Sequence, residues 1–192
     1  MNKQKVTTMT IAALLCAVGI IIPMFAPKIL LPPASYTLGS HVPIFIAMFL
    51  SPTVAITVSL VTTVGFFISG FPLIIVARAL THVIFASVGA YILKKNKNAF
   101  KNIGTTFLFS FLISLLHAIG EVIAVTFFYT GGEISTMYKE VGYLVSVVGL
   151  VGVGSLVHSM LDFSLAVIVW KPLQNIISVP ANVRLKAKVS KS

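Results

Sequence analysis

Long apolar runs occupy most of this chain, and they limit its fold more than any other feature of the sequence. The 192 residues are 57% hydrophobic, and only 9% are Asp, Glu, Lys or Arg. An ordinary soluble domain has about 25% charged residues, so this chain has too few charges to cover a soluble surface. One membrane-spanning helix needs about 20 apolar residues. The sequence therefore predicts that a lipid bilayer surrounds most of the chain.

Proline, glycine and lysine interrupt the apolar sequence at intervals that leave room for six helices. Three prolines lie between residues 26 and 40, which argues against one regular helix there. We therefore predict an all-α integral membrane protein, a single domain over residues 1–192 that forms a six-transmembrane-helix bundle. Irregular external loops are expected after the first and fifth helices, at 26–40 and 130–143. The predicted spans cover about 6–25, 41–50, 52–69, 73–93, 103–129 and 145–170.

The basic residues predict how these spans are oriented. With six spans both termini lie on one side, which then carries eleven of the fourteen Lys and Arg residues. The opposite side carries Lys28 and Lys139, and Arg78 alone lies within a span. Because cytoplasmic loops carry an excess of Lys and Arg, we predict that both termini are cytoplasmic. The net charge of +10 then reflects topology and contacts with the lipid bilayer, not binding of nucleic acid.

Three of the predicted spans each carry two ionisable side chains four residues apart. A spacing of four places both members of a pair on one helix face. Ionisable groups at membrane depth cost about 2.5–3.5 kcal/mol each on insertion and are usually functional. We expect the three faces to meet in one cavity between the outer half and the middle of the membrane, although such pairs can also simply hold helices together. The pairs are Arg78 with His82, His117 with Glu121, and His158 with Asp162.

The residue types in these pairs indicate the chemistry of a ligand. Arg78 is planar and permanently charged, so it suits bidentate binding of a carboxylate or a phosphate. The histidines can donate hydrogen bonds and stack on an aromatic ring, and Glu121 can orient a ring nitrogen. A small aromatic ligand fits this set, and Arg78 favours an anionic one. The alternative is that Glu121 or Asp162 already neutralises Arg78 and leaves no charge for a ligand.

Four histidines with two carboxylates also raise the question of a metal ion. The sequence lacks a His-Glu-x-x-His box, and Arg78 would repel a cation. We therefore predict no metal ligand, no cofactor and no catalytic residue. An intramembrane metal-dependent enzyme stays the alternative from a different functional class, although neither Gly-x-Ser-x-Gly nor a metalloprotease motif occurs.

Small residues on the first span complete a pattern that resembles a known family. Ala13 and Ala17 lie four apart, and a small residue at each lets another helix approach closely. With six spans and two outer loops, the chain resembles the substrate-binding S components of energy-coupling factor (ECF) vitamin transporters of bacterial plasma membranes. The resemblance implies a high-affinity vitamin-binding subunit that docks through Ala13 and Ala17 on a transmembrane scaffold. Two partner ATPase subunits would drive uptake, since this chain has no Walker motif.

Within that family, the run HVPIFIAMF at 41–49 and the Arg78/His82 pair are most similar to the niacin-specific branch. Niacin is a small aromatic carboxylate, which implies that Arg78 pairs with the carboxylate and that the histidines contact the ring. Riboflavin, pyridoxine, a pyrimidine precursor, tryptophan and a metal ion remain open as alternative cargoes. The predicted ligand-binding residues are Tyr36, His41, Arg78, His82, His117, Glu121, His158 and Asp162.

Overall fold

The computed structural model describes residues 2–31, 34–96, 98–132 and 136–185, and it forms a helical bundle with one short β-hairpin. Four of the basic residues in the orientation argument, Lys97, Lys186, Lys188 and Lys191, lie outside the described residues. The elements in chain order are α1 (Lys3–Phe25), β1 (Lys28–Leu31), β2 (Ala34–Thr37), α2 (Val42–Leu50), α3 (Pro52–Ile68), α4 (Leu73–Lys95), α5 (Ile103–Thr130), α6 (Thr136–Val141), a π-helical segment (Leu144–Val153) and α7 (Gly154–Ile176).

Four helical stretches of the described chain are long and apolar enough to cross a bilayer, namely α1, α4, α5 and the continuous run Leu144–Ile176. They confirm the predicted helical membrane class. The apolar helix α3 is shorter, at 17 residues. With nine residues, α2 is about 14 Å long at about 1.5 Å per residue. This length is less than half of the hydrocarbon thickness of about 30 Å.

The short helix α2 lies in the centre of the bundle. Residues 44–50 are each at most 4% exposed, so α2 packs against other helices and not against lipid. Its C-terminal end is covered by the segment after α7, where the Asn182 backbone N–H donates to the Phe49 carbonyl over 2.8 Å. Its N-terminal end stops inside the bundle. Because α2 is short, a space remains beyond that end, and the polar side chains gather around it.

The first external loop differs from the irregular structure predicted for it. Its two halves form an antiparallel hairpin in which Lys28 pairs with Thr37 and Leu31 pairs with Ala34. In the sequence, Pro27 precedes the first strand and the other two prolines lie between the strands, so the prolines exclude a helix without removing a donor from either strand. Ala34 and Thr37 are buried, which means that the second strand packs onto the bundle.

The last span also begins and ends differently from its prediction. It starts with ten π-helical residues from Leu144 and continues to Ile176, past the predicted end at 170. Lys171 follows the apolar stretch, and its long side chain can reach the membrane surface while the helix continues. The loop before this span, expected at 130–143, contains the short helix α6.

Small residues bring α1 and α3 close together. A Cβ added to Gly65 of α3 would overlap the Ile20 side chain of α1, and one added to Gly19 would lie 3.1 Å from the Thr62 hydroxyl. Ser59 and Thr63 are buried on the same helix. The small residues of α3 therefore serve packing inside the bundle.

Candidate ligand-binding site

A cavity of about 290 Å³ lies beneath the hairpin, at the N-terminal end of α2. Six of the eight residues predicted to bind a ligand line this cavity, and the other two, His117 and Asp162, pack behind it against residues that do. The predicted convergence of α4, α5 and α7 is therefore present in the fold. The lining includes Tyr36, His41, Arg78, His82, Glu121 and His158, together with Lys28, Thr62, Phe66, Phe71 and Ile75.

Arg78 and Glu121 form a buried ion pair between α4 and α5. Arg78 Nη2 donates to Glu121 Oε2 over 2.8 Å, and the two residues are only 6% and 3% exposed. The Ser155 hydroxyl from α7 donates to the same carboxylate oxygen, so Glu121 joins all three helices. In the described part of the chain, Arg78 Nε and Nη1 have no hydrogen-bond partner. The pair thus engages Nη2 and leaves the donors of Nε and Nη1 unused within the described residues.

The four histidines form a compact group beside this ion pair. The His41 ring centroid lies 4.9 Å from that of His82, 4.6 Å from that of His117 and 5.1 Å from that of His158. Nε2 of His82 and Nε2 of His117 face Glu121 Oε1 at 3.6 Å and 3.4 Å. The group therefore presents several imidazole rings to one side of the cavity.

Asp162 holds the chain segment that leads into α2. Its carboxylate accepts hydrogen bonds from the backbone N–H groups of Gly39, at 2.7 Å, and His41, at 2.9 Å. It also contacts His41 Nδ1 at 3.0 Å and is fully buried. A carboxylate is favourable at this end of α2 because the helix dipole is positive there. Asp162 therefore positions His41 from behind the cavity and does not line it.

Tyr36 connects the hairpin to the π-helical segment. Its hydroxyl donates to the Leu150 carbonyl, and its ring centroid lies 5.2 Å from that of His158. Gly154 lies directly against the phenol, where a Cβ would overlap the hydroxyl. Burial raises the pKa of Tyr36 above its usual value, chiefly because the phenolate would lose its hydration. Tyr36 is therefore a neutral hydrogen-bond donor at the roof of the cavity.

Three polar residues of the site were not singled out by the sequence. The Ser155 hydroxyl binds Glu121, and the Ser40 hydroxyl lies 3.2 Å from His158 Nε2. Lys28 lines the cavity and places its ammonium 5.7 Å from the centre of the Phe71 ring. Serines are common in apolar helices and carry no spacing signal, whereas Lys28 was identifiable as the single basic residue of the first external loop.

The residues predicted to dock a partner lie away from the cavity, on the outer surface of α1. Ala13 and Ala17 are exposed, whereas Ala12 and Cys16 face the bundle and are buried. Leu14, next to Ala13 on α1, is also exposed, at 61%. Neither predicted docking residue is used for packing within the described bundle, so both are free to contact lipid or another helix.

No protein-family model matches the chain, and no solved structure matches it. Among curated proteins, it is 43% identical over 166 residues to the niacin transporter NiaX of Lactococcus lactis subsp. cremoris (strain MG1363). The alignment covers 86% of this chain and 73% of that relative. Such identity over most of both chains indicates common descent, not merely a shared apolar composition.

Proposed function

Because this chain belongs to the niacin-transporter family of that relative, we propose that it captures niacin in the cavity beneath the hairpin. The family membership confirms the resemblance to the niacin-specific branch of ECF S components. In this role the chain binds the vitamin, and partner subunits provide the ATP hydrolysis. The chain itself is a transport protein and not an enzyme.

Arg78 provides the observation that carries this proposal. It lines the cavity, it is buried, and Glu121 accepts a hydrogen bond from Nη2 of its guanidinium. Its Nε and Nη1 lack a hydrogen-bond partner among residues 2–31, 34–96, 98–132 and 136–185. An unsatisfied buried donor costs about 1–3 kcal/mol, and more when it is charged. The niacin carboxylate supplies the missing acceptor, with Glu121 fixing the orientation of the guanidinium.

The size and walls of the cavity suit a single pyridine ring. Its volume of about 290 Å³ lies just below the range of about 300–1,000 Å³ for ligand pockets, as expected for a small ligand. Phe66 and Phe71 stack on each other with ring centroids 4.7 Å apart and form an apolar wall. The imidazoles of His41 and His82 lie 4.9 Å apart and add a polar part to the lining. A flat ring with one polar nitrogen matches this combination.

The distribution of basic residues supports an opening toward the outside of the cell. In the described chain, Lys28 and Lys139 lie at the end of the bundle that holds the hairpin and α6. We infer that this end is external and that both termini are cytoplasmic. We count the short α2 as one of six crossings, together with the hairpin at its N-terminal end and the segment 177–185 at its C-terminal end. The opposite end carries Lys3, Lys5, Lys94, Lys95, Lys101, Lys171 and Arg184.

Binding of radiolabelled nicotinate to the purified protein tests the role of Arg78. Arg78→Ala should weaken binding by about 2 kcal/mol, roughly 30-fold, because a charge-assisted pair is lost. Arg78→Lys keeps the charge but not the planar fork, so its affinity should fall between those of the wild type and Arg78→Ala. Ser87→Ala is the matched control, since within the described residues this α4 hydroxyl donates to the Ile84 carbonyl of its own helix. Wild-type affinity in Arg78→Ala would contradict the assignment.

Docking on the ECF scaffold is the second part of the proposal. The exposed Ala13 and Ala17 allow a partner helix to approach the backbone of α1 closely. This surface is distant in the sequence from the cavity residues of α4, α5 and α7. Binding of niacin and binding of the scaffold therefore use different sets of residues and can be separated by substitution.

A further inference from the structure

We propose that His41, His82, His117 and Glu121 bind a divalent transition-metal ion of the zinc type in the inner wall of the cavity. Each residue offers one ligand atom, and all four atoms lie within 4.8 Å of one another. All four residues are buried. Although the linear sequence contains no metal-binding box, the folding of α2, α4 and α5 brings these four residues together.

Two distances within the group come close to those of tetrahedral coordination. A zinc ion binds histidine nitrogen at about 2.0–2.1 Å, which places neighbouring ligands of a tetrahedral site about 3.3–3.4 Å apart. Nε2 of His117 lies 3.4 Å from Glu121 Oε1, and Nε2 of His82 lies 3.6 Å from it. These two separations therefore differ by at most a few tenths of an ångström from those of a metal site, and all four ligand atoms lie within 4.8 Å of one another.

The same nitrogens have no other partner that explains their burial. His82 Nε2 and both ring nitrogens of His117 form no hydrogen bond with the part of the chain that the structure describes. His117 is 1% exposed and His82 is 7% exposed. Burial of a polar group without a hydrogen bond is unfavourable. A metal ion would satisfy a nitrogen on each of these rings.

His41 is held as metal-binding histidines commonly are. Its Nδ1 contacts Asp162 Oδ2 at 3.0 Å, which leaves Nε2 for coordination. A carboxylate behind a ligating histidine fixes the ring orientation and raises the basicity of the ligand. Asp162 is itself fixed by the backbone N–H groups of Gly39 and His41.

A second group, made of His41, His158 and Asp162, also brings three ligand atoms together. Its members are already engaged, since His158 Nε2 lies 3.2 Å from the Ser40 hydroxyl. Asp162 likewise accepts two backbone hydrogen bonds. The observations therefore favour the group that contains His82 and His117.

The positive charge of Arg78 opposes a cation, but its position limits the repulsion. Arg78 binds Glu121 Oε2, whereas the histidine nitrogens face Oε1. With Glu121 and Asp162 ionised, the two carboxylates balance the charges of Arg78 and of Lys28, which also lines the cavity. A divalent ion raises the sum to two positive charges, and a bound carboxylate lowers it to one. The ion and an anionic ligand should therefore assist each other's binding.

The ion could also contact niacin directly, an inference that rests on the proposed function. His41, His82 and Glu121 line the cavity, so an ion among them has one side open to it. Zinc can add a fifth ligand, and the pyridine nitrogen of niacin is an aromatic nitrogen donor like imidazole. With its carboxylate on Arg78, niacin then presents the ring nitrogen to the ion.

Titration of the metal-free, full-length protein with Zn²⁺ tests the site. The protein should carry a purification tag without histidine, and we expect one ion per chain. His82→Gln and His117→Gln should each remove stoichiometric binding, whereas His158→Gln should keep it. Asp162→Asn should lower the affinity about 10–100-fold and keep the stoichiometry. Absence of binding in the wild type, or loss in His158→Gln but not in His117→Gln, would overturn the site.

Spectroscopy of the wild type keeps the test independent of whether buried variants fold. Co²⁺ in the metal-free protein should give the intense visible bands of a four- or five-coordinate histidine site. The weak bands of a six-coordinate aqueous ion would contradict it. Addition of nicotinate should change the bands if the ring nitrogen coordinates, and an unchanged spectrum would exclude that contact.

Nicotinate binding with and without Zn²⁺ separates this inference from the proposed function. We expect the affinity to rise at least about tenfold with the ion. Equal binding in chelated protein that takes up no zinc would overturn the metal site and leave the niacin function intact. Zinc uptake without any nicotinate binding would refute the niacin function and leave the metal site intact.

Discussion

Two buried carboxylates, Glu121 and Asp162, have different roles because they meet different partners. Glu121 binds the Arg78 guanidinium and the Ser155 hydroxyl, so it neutralises a charge at membrane depth. Asp162 binds the backbone before α2 and the His41 ring, so it shapes the chain around the cavity. The sequence predicted both as ligand-binding residues, since a four-residue spacing reveals a shared helix face but not which partner each carboxylate contacts.

Removal of the Glu121 charge should lower the stability of the protein. Glu121→Gln leaves Arg78 buried without a counterion, and breaking such a pair costs about 3–5 kcal/mol. The midpoint of thermal unfolding in detergent should therefore fall clearly. Glu140→Gln, at an exposed position of α6, should change stability by no more than about 0.5 kcal/mol. Equal unfolding midpoints for the two variants would show that the ion pair contributes little.

At the scale of elements, the bounds of most helices were predictable, even for the short α2, whereas the hairpin and the π-helical segment were not. The apolar periodicity of α4, α5 and α7 extends over many turns, and their polar pairs specify which faces meet. The hairpin has two strands of only four residues, too few for a pattern to stand out beside three prolines. The central position of α2 depends on contacts with Asn182, which is remote in the sequence.

The contact between the hairpin and the π-helical segment depends on a glycine. Gly154→Ala places a methyl group against the Tyr36 phenol, and overpacking of this kind costs about 1–3 kcal/mol. The hairpin should loosen over the cavity, so nicotinate should dissociate faster and the unfolding midpoint should fall. In Gly104→Ala the new Cβ lies at an ordinary distance of 3.4 Å from the Asn102 side chain. If both variants retain wild-type dissociation rates, the hairpin does not control access to the cavity.

At the scale of the whole molecule, the proposed binding site and the proposed docking residues lie on different surfaces of the bundle. The cavity lies at one end, beneath the hairpin, and the small-residue face of α1 lies on the lateral surface. The sequence predicted this division because ionisable pairs and small residues occur on different spans. It did not indicate the volume of the cavity, which depends on where α2 stops.

Bulky residues on α1 should impair transport without impairing binding. Ala13→Leu with Ala17→Leu should prevent close approach of the scaffold helix, so the chain should no longer co-purify with the ECF subunits. Nicotinate affinity of the isolated chain should stay at the wild-type level. Ser164→Leu adds the same bulk to an exposed position of α7 and serves as the control. Co-purification of the double variant at wild-type yield would place the docking surface elsewhere.

The small molecule that co-purifies with the wild-type chain tests the central claim most directly. The protein should be expressed in cells supplied with niacin, riboflavin, pyridoxine and tryptophan, then denatured and examined by mass spectrometry, with Arg78→Ala prepared in parallel. We expect niacin at close to one molecule per wild-type chain and much less in Arg78→Ala. A different vitamin at that stoichiometry, or niacin at equal amounts in both proteins, would contradict the account.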